Sequence, residues 1–407
     1  MEIKEFYAQS LGIVAPWEVV EIQFLKENQR VEVRVESQKD YQWLDPATGE
    51  ITPIHDWRER RWRHLPTCEY ETWIVAKVPR VKGPDGEKRT VEVPWAEPFG
   101  RFTIAMEILI IRALQNCQAV TRAASLVGVS RDQAEGVLSR AVKRGIARRK
   151  TEPLQLVGID EKSIRKRHHY ATILTDLVSG HIVEIVEGRT IEKTTEMLRS
   201  LGKTATESIE AVSMDMWPAY RHAVEKQLPE ATIVYDRFHV QKYLNTGVDE
   251  VRRTEHKELK VEGDLSLKGT KFAWLKTHED LRRKCLIEFR KLLTLDLKTA
   301  TAWGLKETFR HFWNYRSVTW AMRFFYNWID TVESSGLAPM IKAAQTLRNH
   351  ASGILNYIHY PITNASAEGM NSVIQGIRTA ARGLPRFSSF RNRLLFFFGG
   401  LSLYPNS

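Results

Sequence analysis

Three apolar runs in this chain end on a carboxylate: LVGID closes on Asp160, AVSMD on Asp215 and TIVYD on Asp236. Neighbouring side chains of a strand face opposite ways. Asp160 therefore points away from Ile159 and Glu161, and Asp215 away from Met214 and Met216. Gathering carboxylates at one sheet edge is costly, because like charges repel and burial raises their pKa values. A divalent cation removes that cost. The donors are oxygens, with no Cys pair and no paired-His spacing, so a hard ion such as Mg2+ or Mn2+ fits best. A further acid stands in TNASAEGMNSVIQGIR, where Glu368, Asn371 and Gln375 share one helix face and Met370, Val373, Ile374 and Ile377 make the other. An acid in a first helical turn also has a plain explanation in the helix dipole.

Basic residues surround these acids. Asp160 leads directly into Arg165, Lys166, Arg167, His168 and His169. Residues 139–150, SRAVKRGIARRK, hold six basic residues and no acid: Arg140, Lys143, Arg144, Arg148, Arg149 and Lys150. Residues 378–393 hold five Arg, Arg378 and Arg382 among them, and again no acid. A solvated charged face normally mixes signs. The whole chain carries 60 Lys+Arg against 49 Asp+Glu, a formal net charge of +11 over 407 residues, which favours a polyanionic partner. Two further residues lie close to the acids in sequence. His239, in DRFH after Asp236, either works near a phosphate or is a histidine satisfied at a helix start. Trp217, directly after the Asp215 strand, either stacks a base or belongs to the core.

The elements that must position these residues fall into five stretches. Residues 1–100 carry short alternating runs, VEVRV (31–35), TWIVAKV (72–78) and TVEVPW (90–95), punctuated by Pro, Gly and Asp. They read as a small β-rich domain. Its basic segment DWRERRWRHLP (56–66) is either a solvated edge with Trp57 and Trp62 in the core or a phosphate-contacting surface. Residues 101–150 change to helical period and contain a helix-turn-helix pattern. Ala123, Ala124 and Leu126 would pack its first helix, Gly128 permits the turn and Val129 plugs it. Ser130 caps the next helix with Gln133 three residues on. Arg131, Gln133 and Ala134 would open the recognition helix. Residues 151–240 read β-β-β-α-β-α-β, a mixed sheet flanked by helices. Residues 241–355 have little strand character. Phe309, Trp313, Trp320, Phe324 and Trp328 recur there as one helix face, most simply core. Residues 356–407 hold the final amphipathic helices.

Acid on strand one, acid on strand four and acid on a late helix is the layout of an RNase-H-like nucleotidyl transferase. The expected fold class is thus an α/β RNase-H-like core with an all-helical insertion, preceded by a small β-rich domain and a helix-turn-helix. Two metal ions about 4 Å apart would clamp a phosphodiester between Asp160, Asp215 and Glu368.

VGIDE, the VEGRT strand end, SMDMWPAY, YDRFHV and NASAEGMNS resemble bacterial insertion-sequence transposases of the DDE type, in particular the ISL-three family. The resemblance runs from about residue 55 to about residue 400. It implies that Asp160, Asp215 and Glu368 are the catalytic acids, that Mg2+ or Mn2+ is the cofactor with two ions in catalysis, and that terminal inverted repeats and target DNA are the partners. It also implies at least a dimer on DNA. Relatives usually carry a cysteine-based zinc module before the helix-turn-helix. Here only Cys68, Cys117 and Cys285 occur, far apart, and His55 and His64 alone do not make a tetrahedral zinc site, so no zinc is expected. Three scattered cysteines, an N-terminus without a signal pattern and no apolar run long enough to span a bilayer place the expected home in the bacterial cytoplasm, at the nucleoid. Two other functions fit the same residues: a catalytically silent DNA-binding protein derived from a transposase, and an RNase-H-like nuclease without strand transfer.

Overall fold

A computed structural model describes the chain except residues 1, 118, 150–151, 166–168, 278, 280–282, 365–373, 377–385 and 407. The chain divides into two compact units, Met1–Arg149 with Gly376–Ser407, and Lys150–Gln375.

The first unit opens with helix α1 (Ile3–Ser10) and strand β1 (Trp17–Leu25), followed by β2 (Arg30–Ser37), β3 (Ile54–Arg63), β4 (Glu71–Lys82) and β5 (Lys88–Thr90). The sheet order is β1-β2-β4-β3, with β5 also on β4. β2 and β4 are parallel and the other pairs antiparallel. In β2 every second residue, Val31, Val33 and Val35, is buried, which is the period-2 pattern of a half-covered strand. The core against it is aromatic. Trp17 meets Trp43 and Trp95 at ring separations of 5.3 and 5.2 Å, and Trp95 meets Trp62 at 5.5 Å. The basic segment 56–66 is itself mostly strand β3, pairing with β4 from Ile54 to Arg63. Trp62 is fully buried, but Trp57 stays 46 % exposed, so only one of the two expected tryptophans enters the core. The run TVEVPW contributes only Thr90 to the short β5, and its later residues form no strand beyond the isolated bridge Val93–Ala96.

Helices α2 (Ile104–Asn116), α3 (Val120–Leu126) and α4 (Arg131–Arg148) follow. Ser130 caps α4 in a full capping box, its hydroxyl accepting from Gln133 N at 3.2 Å while Gln133 Oε1 accepts from Ser130 N at 2.8 Å. Gly128 adopts φ +62°, the left-handed conformation that the turn needs. Ala123 and Ala124 are buried, but Leu126 is 71 % exposed, contrary to its expected packing role, because it falls on the outer side of a helix only seven residues long.

The second unit holds the other sheet. Its strands are β6 (Leu156–Arg165), β7 (His169–Asp176), β8 (Ile182–Glu187), β9 (Ala211–Met214) and β10 (Thr232–Tyr235), in the order β10-β9-β6-β7-β8. β6, β7 and β8 form an antiparallel meander, β9 joins β6 in parallel and β10 joins β9 in parallel. Between them run α5 (Ile191–Arg199), α6 (Lys203–Glu207) and α7 (Pro218–Gln227). From Arg237 to Ile358 the described residues are helical or loop. They form α8 (Arg237–Val261), α9 (Lys271–Leu275), α10 (Arg283–Leu293), α11 (Lys298–Phe309), α12 (Val318–Ser334), α13 (Ala338–Asn349) and α14 (Ala351–Leu355). The aromatic stripe is not one helix face. Phe309 ends α11, Trp313 sits in a 3-10 turn, and α12 starts only at Val318. Phe309, Phe312, Phe325 and Trp328 fill the core, while Trp320 points outward. Buried Lys306 donates to the carbonyls of Trp274 and Lys276 at 3.0 and 3.1 Å, using its ammonium to satisfy the end of α9.

The last helix, α15 (Phe387–Phe398), belongs to the first unit, where it packs on α4 through Arg393–Glu135 at 3.0 Å and Asn392–Ser139 at 3.3 Å. No helix among the described residues is long and apolar enough to cross a membrane.

Candidate active site

Strand register decides which acids can meet. β6 and β9 pair in parallel up to Gly158 opposite Ser213, and β9 and β10 up to Met214 opposite Tyr235. Two residues beyond the first pair stand Asp160 and Asp215, and one beyond the second stand Asp215 and Asp236. The three acids therefore lie level across three adjacent parallel strands. Asp215 and Asp236 directly follow β9 and β10, but Asp160 does not end its strand as expected, because pairing with β7 carries β6 on to Arg165. Ile159, Met214 and Met216 are buried, as the period-2 pattern requires, while the side chains of Asp160 and Asp215 keep 14 % and 23 % of their surface exposed.

Asp160 and Asp215 are treated alike by their surroundings. One oxygen of each accepts from the next backbone N–H, Glu161 N at 2.8 Å and Met216 N at 2.6 Å. The other oxygen faces a basic side chain: Lys162 Nζ lies 2.6 Å from Asp160, and His239 Nε2 lies 3.7 Å from Asp215. Asp236 is different. It is buried, and its carboxylate caps α8 by accepting from Phe238 N at 3.2 Å. Its second oxygen faces His239 Nδ1 at 3.7 Å, too long for a hydrogen bond but close for an ion pair. Burial alone would lower the pKa of His239, but the facing Asp236 and Asp215 carboxylates, with Asp160 behind them, outweigh it and raise the value above the ordinary histidine range.

Trp217 lies beside the acids, half exposed. Arg189, just past β8, stacks its guanidinium 4.5 Å from the Trp217 ring and 4.2 Å from the Tyr170 ring. The same guanidinium donates to Glu161 at 2.9 Å, and Trp217 Nε1 donates to the Arg189 carbonyl at 3.3 Å. One face of Trp217 is thus already occupied. Neither Lys162 nor Arg189 was singled out by sequence reasoning. Lys162 shares the Asp160 face by strand period, and Arg189 sits in the VEGRT run, so the signals existed.

Glu368 lies outside the described residues. The chain reaches the sheet just before it. Asn364 is buried, its side-chain amide donates to Ile159 O at 3.2 Å, and its Oδ1 lies 2.4 Å from where a Cβ at Gly158 would stand. Only glycine leaves room for that docking. Among the described residues no three His, Cys, Asp or Glu side chains gather closely enough to hold a metal ion.

The residues expected to contact DNA divide sharply. Arg131 and Lys143 are exposed, and Gln133 is committed to the cap. Buried Ala134 cannot reach a base. Arg140 pairs with Glu107 at 3.0 Å, and Arg144 with Glu97 and with Glu107 at 2.7 Å. Arg144, Arg148 and Arg149 also donate to the carbonyls of Leu403, Tyr404 and Gly399 in the C-terminal tail. Within the basic run 139–150, Glu107 and Glu97 thus neutralise Arg140 and Arg144, while the tail carbonyls engage Arg144, Arg148 and Arg149 without cancelling their charge. Arg165 is described only in its backbone, and Lys150, Lys166, Arg167, Arg378 and Arg382 lie outside the described residues.

Level acids on a mixed sheet, reached again by the chain at Asn364, together with a capped helix-turn-helix, describe a DNA-acting enzyme of the transposase class. Residues 157–394, more than half of the chain, match a transposase family, and residues 91–142 match the helix-turn-helix domain of transposase family ISL3. The chain belongs to the ISL3 family of transposases. Residues 49–84 match the zinc-finger of transposases IS204, IS1001, IS1096 and IS1165. Among similar proteins is the transposase for insertion sequence element IS1001 of Bordetella parapertussis, 27% identical over 369 residues, which span 87% of this chain and 86% of the relative. Another is the transposase for insertion sequence element IS1557 of Mycobacterium tuberculosis, 23% identical over 350 residues, spanning 80% and 78% of the two chains.

Proposed function

We propose that this chain binds the terminal inverted repeats of an insertion sequence, cleaves DNA there and joins the freed 3′-end to target DNA in a metal-dependent reaction. The observation that carries the reading is the level placement of Asp160 and Asp215 on adjacent parallel strands, each two residues past the last β6–β9 pair, Gly158 and Ser213. The strand order, a three-stranded meander extended by two parallel strands, supports an RNase-H-like core, with the helices α8 to α14 as an insertion before the last acid.

The donor set fits a hard divalent ion, since Asp160 and Asp215 each keep one oxygen turned toward a basic side chain that balances its charge. Asp160, Asp215 and Glu368 would hold Mg2+ or Mn2+, which, when bound, lowers the pKa of an attacking water or 3′-hydroxyl and stabilises the leaving oxygen. The protein's own contribution is positioning. Asp236 fixes the start of α8 and so the ring of His239. Glu161 and Arg189 brace Trp217 beside the acids, leaving its free face for a base or sugar. Arg131 and Lys143 supply phosphate contacts from α4. Cutting two element ends together calls for at least a dimer on DNA, acting at the bacterial nucleoid.

The test is cleavage and joining of DNA bearing the element's terminal repeats, with Mg2+ and with the ion omitted. Cleaved ends joined to a target plasmid are expected. Hydrolysis without joining would reduce the protein to a nuclease, and repeat binding without any cleavage would make it a silent DNA-binding relative. Joining that survives Asp160→Asn or Asp215→Asn would remove the assigned chemistry.

A further inference from the structure

The zinc-finger match and the residues present disagree. A structural zinc needs four Cys or His donors around one point. Within 49–84 the only thiol is Cys68, which is exposed. His55 is exposed, and His64 is buried with Nδ1 2.8 Å from Thr103 Oγ1. No zinc set is available from these residues.

Something else joins the two turns that flank the matched stretch. The first turn is Asp45-Pro46-Ala47-Thr48-Gly49-Glu50, and the second is Gly83-Pro84-Asp85-Gly86-Glu87. Both are closed by a backbone pair between their ends, Asp45 N to Glu50 O at 2.8 Å and Gly83 N to Glu87 O at 2.9 Å. Both run Pro to a glycine of positive φ, +73° at Gly49 and +81° at Gly86. In each, an aspartate accepts from the backbone two residues on, Ala47 N and Glu87 N, both at 3.0 Å. The turns are thus near-copies, each organised by a carboxylate.

Arg89 sits between them. Its guanidinium donates to Asp45 Oδ2 at 3.0 Å and to Asp85 Oδ1 at 3.1 Å, with a second contact to Asp85 Oδ2. Asp45 is fully buried and Asp85 half exposed. A buried carboxylate without a positive partner is strongly unfavourable, so this contact is what lets Asp45 be where it is. Gly83 completes the cavity. A Cβ there would stand 2.4 Å from Arg89 Nη1, 2.5 Å from Asp45 Oδ2 and 2.8 Å from Asp85 Oδ1. Its backbone φ is not left-handed, so glycine is required for space alone. A side chain at 83, a metal-binding thiol included, would have to displace the guanidinium or its carboxylates from this arrangement.

We infer that Arg89 is a built-in cation that replaces zinc, clipping the Asp45 and Asp85 turns together so that the β-rich domain folds without metal. The inference is independent of the catalytic reading. It predicts that full-length protein purified from zinc-supplemented cells retains less than roughly a tenth of a zinc per chain, since binding that drives folding would otherwise keep it stoichiometric. It also predicts an unfolding midpoint unmoved by a strong chelator. Stoichiometric zinc, or a midpoint that drops on chelation, overturns it. The coupling is read separately by a cycle of Asp45→Asn, Arg89→Met and the double variant, followed by thermal unfolding of the full chain. The double variant is expected to lose clearly less than the sum of the singles. Additive losses would mean the pair is not a clip. If Arg89→Met does not accumulate folded, the zinc and chelator measurements on the unaltered protein still decide.

Discussion

Two pairs of carboxylates in this molecule meet opposite fates. Asp45 and Asp85 share one guanidinium, and glycine at position 83 leaves the space that it fills. Among the described residues no hydrogen bond or ion pair joins Asp160 and Asp215 to one shared side chain. Each turns one oxygen to a separate basic group, Lys162 or His239, and both remain partly open. The first pair is closed by the chain itself and holds a fold. The second is faced by two separate basic groups and stays partly exposed, as the proposed metal-dependent reading requires. Carboxylates alone do not mark an active site; what counts is whether the protein has already supplied the cation.

The sharpest way to break this contrast is to neutralise one acid from each pair. Asp215→Asn removes a charge from the open pair. It is expected to lower cleavage of repeat-ended DNA by at least about 10³-fold, the scale of lost charge stabilisation at a reacting phosphate, while thermal unfolding stays the same or moves up, since like-charge repulsion is relieved. Asp45→Asn in the closed pair is expected to do the reverse, lowering the unfolding midpoint by several degrees and leaving the cleavage rate per folded molecule near normal. Measuring rate and midpoint on both variants checks all four expectations. A cleavage defect of equal size from Asp45→Asn would erase the distinction.

The closed domain also carries a proton-sensitive element. Burial lowers the His64 pKa to about 4 from its ordinary 6.5. The unfolded chain then takes up a proton that the folded one refuses. The associated stability is complete above the unfolded value and is lost as pH falls from 6.5 toward 4, by on the order of 3 kcal/mol in all. His64→Gln keeps a hydrogen-bonding partner for Thr103 and is expected to flatten this part of the stability curve relative to the unaltered protein. Denaturant unfolding at pH 7, 5.5 and 4.5 measures it. Equal pH slopes for both proteins would show that His64 titrates normally.

How much of this was legible in the sequence depends on the range of the signal. Period-2 patterns showed β6 to β10, because strand alternation is local. Ser130, Gln133 and Gly128 announced the helix-turn-helix for the same reason. The end of β6, however, was misread at Asp160, since its continuation to Arg165 depends on pairing with β7. Strand β1, WEVVEIQFL, went unread because its charged and apolar residues do not alternate cleanly, and its burial follows from packing on β2. The roles of Arg144 and Arg148 were also hidden. Their partners Leu403 and Tyr404 lie more than 250 residues away, and a run of arginines looks the same whether phosphates or the chain's own carbonyls receive it. Arg89 was invisible as well, since its meaning arises only where two distant turns meet.

The Trp217 support gives a smaller test on the open side. Arg189→Leu removes the guanidinium from between Tyr170 and Trp217 and frees Glu161. A stacked cation of this kind contributes about 1 kcal/mol, so cleavage is expected to fall by roughly 5- to 10-fold, chiefly through weaker use of the cleaved end. Arg189→Lys keeps the charge but not the planar stack and is expected to recover little. Full recovery by lysine would make the charge, and not the bracing of Trp217, the operative property.

The smallest effects lie on α4, where the same distinction between committed and uncommitted groups sorts arginines. Arg131 is exposed at the start of the helix, whereas Arg144 is held by Glu97, Glu107 and the Leu403 carbonyl. Removing one phosphate contact reduces the slope of log affinity against log salt by about 0.9. Arg131→Ala is therefore expected to weaken repeat binding a few-fold and shallow the salt slope by about one, with stability unchanged. Arg144→Ala is expected to leave the slope alone and lower the unfolding midpoint, because it strands two carboxylates and a carbonyl. Binding titrations between roughly 50 and 200 mM salt separate the two outcomes. A shallower slope from Arg144→Ala would mean that its ion pairs open on DNA, and that the tail it holds is released when the helix binds.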